Sequence, residues 1–509
     1  MKACLMYPRE DFNLDRELPW GADSLIADLE LETLFAAMAQ GDAFLSDVAR
    51  KAVLASLTTP GLIVYRQDIL RDCMANGAIV RELYAIALEA IAIEKQTYFG
   101  IFSHYPAAIL SSSRDLMQSF IGVLVKLREL ADRSSANFAS AGFSRFFSMI
   151  RDELADDYFA TLDAHLKELK LRHGTLISAR LGKGNKGVGY TLRRPAGADR
   201  NLFKRFFGSR APSLTFRVPE RDEAGARALS ELEARGISLA ADAVHQSAQH
   251  VLSFFRMIRA ELAFYIGCLN LANALDATAQ PFCYPEPVAG SDRLHAFEGL
   301  YDVCLALRLQ KPIVSNAVAA NRAELTVVTG ANEGGKSTFL RSIGLAQMMM
   351  QAGMMVGARS FSANVASGVF THYKREEDAS MTSGKFDEEL VRMNALADRV
   401  TVDSLVLFNE SFASTNEREG SEVARQIVRA LVEERVKVVY VTHMYHFAHG
   451  LFEDMKERAL FLRAERREGG ERTFKVMPGE PLETSYGEDL YRRIFECPES
   501  SLDAPEAIC

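Results

Sequence analysis

The residues best placed to do chemistry are Gly330-Ala-Asn-Glu-Gly-Gly335-Lys336-Ser337-Thr338, which fit the pattern G-x-x-x-x-G-K-[ST] without a gap. An apolar, β-branched run from Glu324 to Thr329 precedes them, and Phe339 to Gln351 reads as a helix. Strand, loop and helix in that order are the context the pattern requires. Glycines let a backbone wrap around a phosphate chain, and successive N–H groups at a helix N-terminus make an anion site reinforced by the helix dipole. Gly330, Asn332, Gly334, Gly335, Lys336, Ser337 and Thr338 are therefore the candidate nucleotide-binding set. Lys336 is expected to reach the outer phosphates of ATP, and Ser337 to hold Mg²⁺.

A second cluster supplies the rest of a phosphoryl-transfer site. Ser404 to Glu410 reads as a buried strand that ends in a carboxylate, the place from which an ATPase orients its attacking water. Glu410 is the candidate catalytic base. The position before it, where an Asp usually organises the Mg²⁺ shell, is Asn409. An amide oxygen accepts a hydrogen bond from metal-bound water but carries no charge, so weaker Mg²⁺ affinity or slower turnover is expected. A helix from about Glu417 to Glu434 then leads to a second apolar strand, Val436 to Val441, ending at Thr442-His443. His443 is the candidate γ-phosphate contact.

These segments, Gly330 to Arg341, Ser404 to Glu410 and Val441 to His446, resemble the ATPase domain of the MutS family of DNA mismatch-repair proteins. The resemblance implies a Gln-loop at Gln351-Ala-Gly353, which joins the nucleotide-binding set and couples nucleotide state to the rest of the protein. It implies a signature helix at Phe386 and Glu389 that faces the partner's nucleotide in a dimer. Gly384 stands where the family has its signature Ser, with Ser383 beside it. Ser414 and Thr415 fall in the loop that crosses the family's dimer interface, and Pro478-Gly479 with Ser485-Tyr486-Gly487 resemble its closing segment. Asp28 to Phe35 and Tyr65 to Leu70 are similar to the start of the family's helical core. Because that match begins within the first thirty residues, the mismatch-recognition and connector domains are expected to be absent.

The net charge of −8 taken alone argues against a nucleic-acid protein, but its distribution argues the other way. Between Arg172 and Arg217 stand eleven basic residues and one acid, Asp199, a local charge of +10 that leaves −18 on the remainder. Such a field attracts phosphates even on an acidic protein. Thr175 to Leu181 and Val188 to Arg194 alternate like strands around a Gly-rich turn, so a basic hairpin is expected, with Lys183, Lys186, Arg193, Arg194, Lys204 and Arg205 as its nucleic-acid contacts. Gly182 to Gly187 also spell G-x-G-x-x-G. A strand follows instead of a helix, so the dinucleotide reading fails. Phe203, Phe206 and Phe207 could stack on bases, but core packing of the tip is the plainer reading; Glu376 to Asp378 read as a solvated loop. In MutS-like proteins the clamp over DNA is a small β-containing insertion at the tip of the lever helices.

With 509 residues, 48% hydrophobic and 25% charged, the chain is long enough for about three domains. Seven scattered cysteines without a Cys-x-x-Cys pair point to a reducing cytoplasm, and no uncharged stretch reaches membrane-spanning length. The expected architecture is an α/β P-loop ATPase domain of the ABC type, with a mainly parallel sheet, at 301–495, followed by a short tail at 496–509. An all-α core and lever at 1–165 and 222–300 precedes it, interrupted by the clamp tip at 166–221. The expected function is a homodimeric, MutS-like ATPase that uses ATP and Mg²⁺ to clamp double-stranded or branched DNA in repair or recombination. Two other readings remain open: an ATP-binding scaffold with little turnover, and an ATPase acting on structured RNA.

Overall fold

The computed structural model describes residues 1–96, 105–172, 174–193, 215–375, 384–467 and 471–483. By their contacts these divide into two units. One comprises Met1–Ala3, Ala78–Phe138 and Phe143–Arg259; the other comprises Cys4–Gly77, Ala139–Gly142 and the chain from Ala260 onward.

Helical periodicity builds the first unit. Pro106 opens the helix Pro106–Ser134, where its fixed φ and missing N–H cost nothing, and Leu110, Met117, Phe120, Leu124, Leu127 and Ala131 form its buried stripe. The helices Ala141–Glu153 and Asp156–Glu168 follow. Phe143, Phe146 and Phe147 gather with Phe138, the closest rings 4.5 Å apart. The expected basic hairpin is present as β1 (Ile177–Leu181) paired antiparallel with β2 (Gly187–Leu192). Gly184 and Asn185 take positive φ at its turn. Gly236 lies where a Cβ would come within 2.3 Å of Ile177, so this glycine lets the hairpin approach the helix. That helix, Glu223–Asp276, is 54 residues long, and its residues up to Arg259 belong to this unit. No helix among the described residues is long and apolar enough to cross a membrane.

The second unit contains two sheets. Its strands are β3 (Glu286–Val288), β4 (His295–Leu300), β5 (Asn316–Ala319), β6 (Leu325–Thr329), β7 (Ser360–Asn364), β8 (Val369–Tyr373), β9 (Leu405–Asn409), β10 (Lys437–Val441), β11 (Ala459–Arg466) and β12 (Arg472–Pro478). The six-stranded sheet runs β12-β11-β6-β10-β9-β8, parallel throughout except for β12. Strands β6 and β10 are buried at every position, as fully covered parallel strands require. Val406 and Phe408 face a cluster with Met393, Ala424, Val428 and Phe447. Leu407 points the other way, onto the helix Lys336–Gln351, where Gly344 leaves it room. The mixed four-stranded sheet β3-β7-β4-β5 was not expected from sequence, and its first strand begins at Glu286.

Residues near the N-terminus are stitched into this second unit by buried polar groups. The Glu261 carboxylate accepts the N–H of Leu5 at 2.6 Å and of Phe12 at 2.8 Å. Burial pushes its pKa up to about 7, against the hydrogen bonds that favour the anion. Arg66, fully buried, donates to the carbonyls of Met6 and Ala352, 2.9 and 3.2 Å away, and stacks on Tyr7.

Candidate functional site

The loop between β6 and the helix Lys336–Gln351 is built from left-handed turns. Gly330, Glu333 and Gly335 have φ of 112°, 57° and 81°. At Gly330 a side chain would also meet the backbone of Ala464 at 2.9 Å. Gly335 caps the helix without a side-chain partner, so the first helical N–H groups lack an intrahelical acceptor and are free to meet an anion. Lys336 is buried and donates to the carbonyls of Gly330 and Ala331 at 3.1 and 3.0 Å. Burial pushes its ammonium below the ordinary value, Glu410 opposes that shift, and Arg472 adds to it. A phosphate chain would relieve that cost by supplying counter-charge.

Strand register brings the second cluster to the same edge. Val441 pairs with Asn409 and Val328 with Val441, so the C-terminal ends of β6, β9 and β10 lie together. Ser337 Oγ donates to Asn409 Oδ1 at 2.9 Å, joining the two expected Mg²⁺-site residues across 72 positions of sequence. Two hard oxygen donors beside a phosphate loop fit a Mg²⁺ ion that keeps several waters. Glu410 has φ of 52°, and its Oε2 accepts from the His443 N–H at 3.1 Å and pairs with His443 Nδ1 at 2.6 Å. That hydrogen bond holds the His443 imidazole above its ordinary pKa, against burial. Glu410 Oε1 makes no hydrogen bond among the described residues.

A cavity of about 470 Å³ opens beside Gly334 to Phe339. Leu305, Leu309, Pro312, Ile313 and Phe474 give it apolar walls of a kind suited to a nucleobase. Phe474 takes a φ of 59° and lies against Gly335, where a Cβ would be 3.4 Å from its own. None of these wall residues was expected from sequence, because isolated apolar side chains carry no motif; Pro312 after the helix Val303–Leu309 is the nearest thing to a signal.

Not every expected residue joins this cluster. Gln351 is fully buried at the far end of the phosphate-loop helix, fifteen residues and roughly 22 Å from Lys336 at 1.5 Å per residue. Its amide donates to Ser56 Oγ and to the carbonyls of Leu57 and Ala366, and accepts from the Ala366 N–H and from Gln347. With those bonds made, the structure gives it no place among the nucleotide ligands. Gly384 caps the helix Lys385–Ala397, and Phe386 packs on the sheet core. Glu389 is buried and turns into its own unit, accepting the Phe412 N–H at 2.8 Å and the Ser414 hydroxyl at 3.0 Å, instead of presenting its carboxylate outward. Thr415 donates to Glu419 at 3.0 Å. In the first unit Lys183, Lys186 and Arg193 are exposed on or beside the hairpin, and Arg193 donates to Ser178 at 2.8 Å. Ser383, Arg194, Lys204 and Arg205 lie outside the described residues, as do Phe203, Phe206, Phe207, Glu376 to Asp378 and Ser485 to Gly487.

Comparison with known proteins places the chain beside MutS-type sequences. The family model of the MutS2 N-terminal domain matches residues 58–278, and that of MutS domain V matches residues 326–504. The chain is 24% identical over 379 residues to the protein named Endonuclease MutS2 of Streptococcus equi subsp. zooepidemicus, covering 73% of this chain and 47% of that one. It is 30% identical over 187 residues to the DNA mismatch repair protein MutS of Clostridium kluyveri, covering 36% of this chain and 21% of the other. Against MutS protein homolog 4 of Mus musculus the figures are 26% over 159 residues, 31% and 17%. The chain thus spans less than half the length of each of these relatives.

Proposed function

The chain belongs to the MutS family, and from that membership we propose that it is a Mg²⁺-dependent ATPase that couples nucleotide turnover to closure on DNA in repair or recombination. The observation that carries the reading is the meeting of Lys336, Ser337, Asn409, Glu410 and His443 at one edge of the sheet. Loop N–H groups and Lys336 would bind the phosphates, and the apolar cavity would take the base. Ser337 and Asn409 would hold Mg²⁺, which supplies charge neutralisation across the transferring phosphate when bound. Glu410 would accept the proton of the attacking water through Oε1, while His443 fixes its other oxygen. A head-to-tail homodimer would bring Gly384 and the exposed side of its helix, including Val391, toward the partner's nucleotide.

The exposed basic hairpin supports nucleic acid as the ligand of the first unit. ATP can bias clamp closure only by binding one state better than the other. A second reading, an ATP-binding scaffold, is favoured by Asn409, which withholds the charge that an Asp would place near Mg²⁺. The two separate in a multiple-turnover assay with and without duplex DNA, branched DNA and structured RNA. Hydrolysis stimulated by DNA supports the ATPase clamp. Binding of ATP with no turnover under any condition supports the scaffold, and stimulation by RNA alone moves the ligand to RNA.

A further inference from the structure

The turn that carries the base is strained: Glu410 and Phe412 have φ of 52° and 62°, a left-handed conformation that costs a side-chain-bearing residue and persists only where its surroundings over-determine it. One support is the Glu410 N–H, which donates to the Val441 carbonyl at 2.9 Å, and another comes from the helix Lys385–Ala397. Glu389 accepts the Phe412 N–H with Oε2 at 2.8 Å and the Ser414 hydroxyl with Oε1 at 3.0 Å. Behind it, His372 at the end of β8 stacks on the Phe412 ring, centroids 5.2 Å apart and planes 16° from parallel. Its Nε2 lies 3.1 Å from the Glu389 carbonyl and its Nδ1 2.8 Å from Ser411 Oγ. A carbonyl only accepts, so Nε2 carries the proton. Burial and the nearby Arg392 hold the imidazole neutral, down at about 4, which leaves Nδ1 an acceptor, and the one Ser411 hydroxyl proton is shared between Nδ1 and the His372 carbonyl, to which Ser411 Oγ also donates. Tyr440 closes the ring by donating to the Ser411 carbonyl at 2.6 Å. Every residue from 411 to 414 except Ala413 is thus gripped by a neighbour, and the side chain of Glu410 hangs from that turn.

We propose that Glu389 is a positioning residue for Glu410: by gripping Phe412 and Ser414 it holds the strained turn that aims the base, with His372 tying the grip to the sheet. A displacement of the helix Lys385–Ala397 then shifts the base through this turn, against the hold of His443 on Glu410 Oε2. The inference rests on the ATPase reading for its kinetic consequence but not for its structural one.

The test pairs Glu389→Ala with Glu389→Gln, alone and in a Glu410→Gln background, in the full chain. Glu389→Ala should slow single-turnover hydrolysis about 10- to 100-fold, the scale of a small misplacement of a catalytic group, with ATP affinity unchanged. Glu389→Gln keeps one acceptor and should lose less. In the Glu410→Gln background Glu389→Ala should add nothing, because the base it positions is already gone. An equal slowing in both backgrounds, or a loss that appears only as weaker ATP binding, overturns the proposal. Amide exchange measured by mass spectrometry reads the same grip without turnover. Peptides covering 411–416 should exchange about tenfold faster in Glu389→Ala and less so in Glu389→Gln, while β9 and β10 stay protected. Unchanged exchange there overturns the proposal. If the wild-type chain hydrolyses no faster than Glu410→Gln, the ATPase reading fails, and the exchange result alone decides whether Glu389 holds the turn.

Discussion

Replacing Glu261 by Gln should flatten the dependence of stability on pH. The carboxyl is fully buried, and its pKa rises from 4.5 in the unfolded chain to about 7 in the folded one because burial penalises the anion more than the Leu5 and Phe12 N–H groups favour it. A folded-state pKa above the unfolded value means the native protein binds the extra proton. The corresponding stability is present below pH 4.5 and is lost as pH rises from 4.5 through about 7, with no further change above. The gap of about 2.5 in pKa corresponds to about 3 kcal/mol at about 1.4 kcal/mol per tenfold change. Glu261→Gln removes this titration. It also faces one backbone N–H with an NH₂ group, which should cost about 1–3 kcal/mol at pH 5. Urea unfolding at pH 5, 6, 7 and 8 measures both. The wild type should be the more stable at pH 5, and the difference should shrink or reverse by pH 8. Parallel stability profiles for the two proteins would refute the reasoning, since they would mean that Glu261 ionises at its ordinary value in the native state.

Other perturbations test other parts of the molecule. Gly353→Ala should destabilise by about 2–4 kcal/mol, because φ is 79° and the new Cβ would lie 2.5 Å from that of Arg66; an unchanged urea midpoint would contradict this. Asn409→Asp should lower the Mg²⁺ concentration for half-maximal ATP hydrolysis by restoring a charge 2.9 Å from Ser337 Oγ, and an unmoved Mg²⁺ titration would mean that the amide already suffices. Reversing Lys183, Lys186 and Arg193 to Glu should weaken DNA binding and make the slope of log affinity against log salt shallower by up to about 3, roughly one counterion per lost phosphate contact. Unaltered affinity in the folded triple variant would make the hairpin charge a solvated surface.

Local chemistry was legible in the sequence, and long-range packing was not. Gly330 to Thr338 carry their own instructions, since only glycine tolerates φ of 112° beside the Ala464 backbone. The hairpin was legible because a strand, not a helix, follows Gly187. Buried runs such as Leu325–Thr329 and Lys437–Val441 announce central parallel strands, and once these are adjacent the meeting of Ser337 with Asn409 follows from register. By contrast, Glu261 pairs with Leu5 across 256 residues and Arg66 with Ala352 across 286, and no periodicity encodes such a partner. The four-stranded sheet escaped because strands as short as Glu286–Val288 are too brief to display alternation. The family resemblance assigns Glu389 and Gln351 their roles, while their side chains are consumed by neighbours that only the tertiary structure supplies.

The decisive measurement is a single-turnover ATP hydrolysis assay, with nucleotide affinity measured in parallel, on the wild type, Lys336→Ala and Glu410→Gln. If the edge formed by Lys336, Ser337, Asn409, Glu410 and His443 is an ATPase site, Lys336→Ala loses nucleotide binding. Glu410→Gln should bind ATP with wild-type affinity and hydrolyse it at least about 100-fold more slowly, the scale of removing a general base. Hydrolysis by Glu410→Gln at the wild-type rate would contradict the assignment of the base, and wild-type ATP affinity in Lys336→Ala would contradict the site itself.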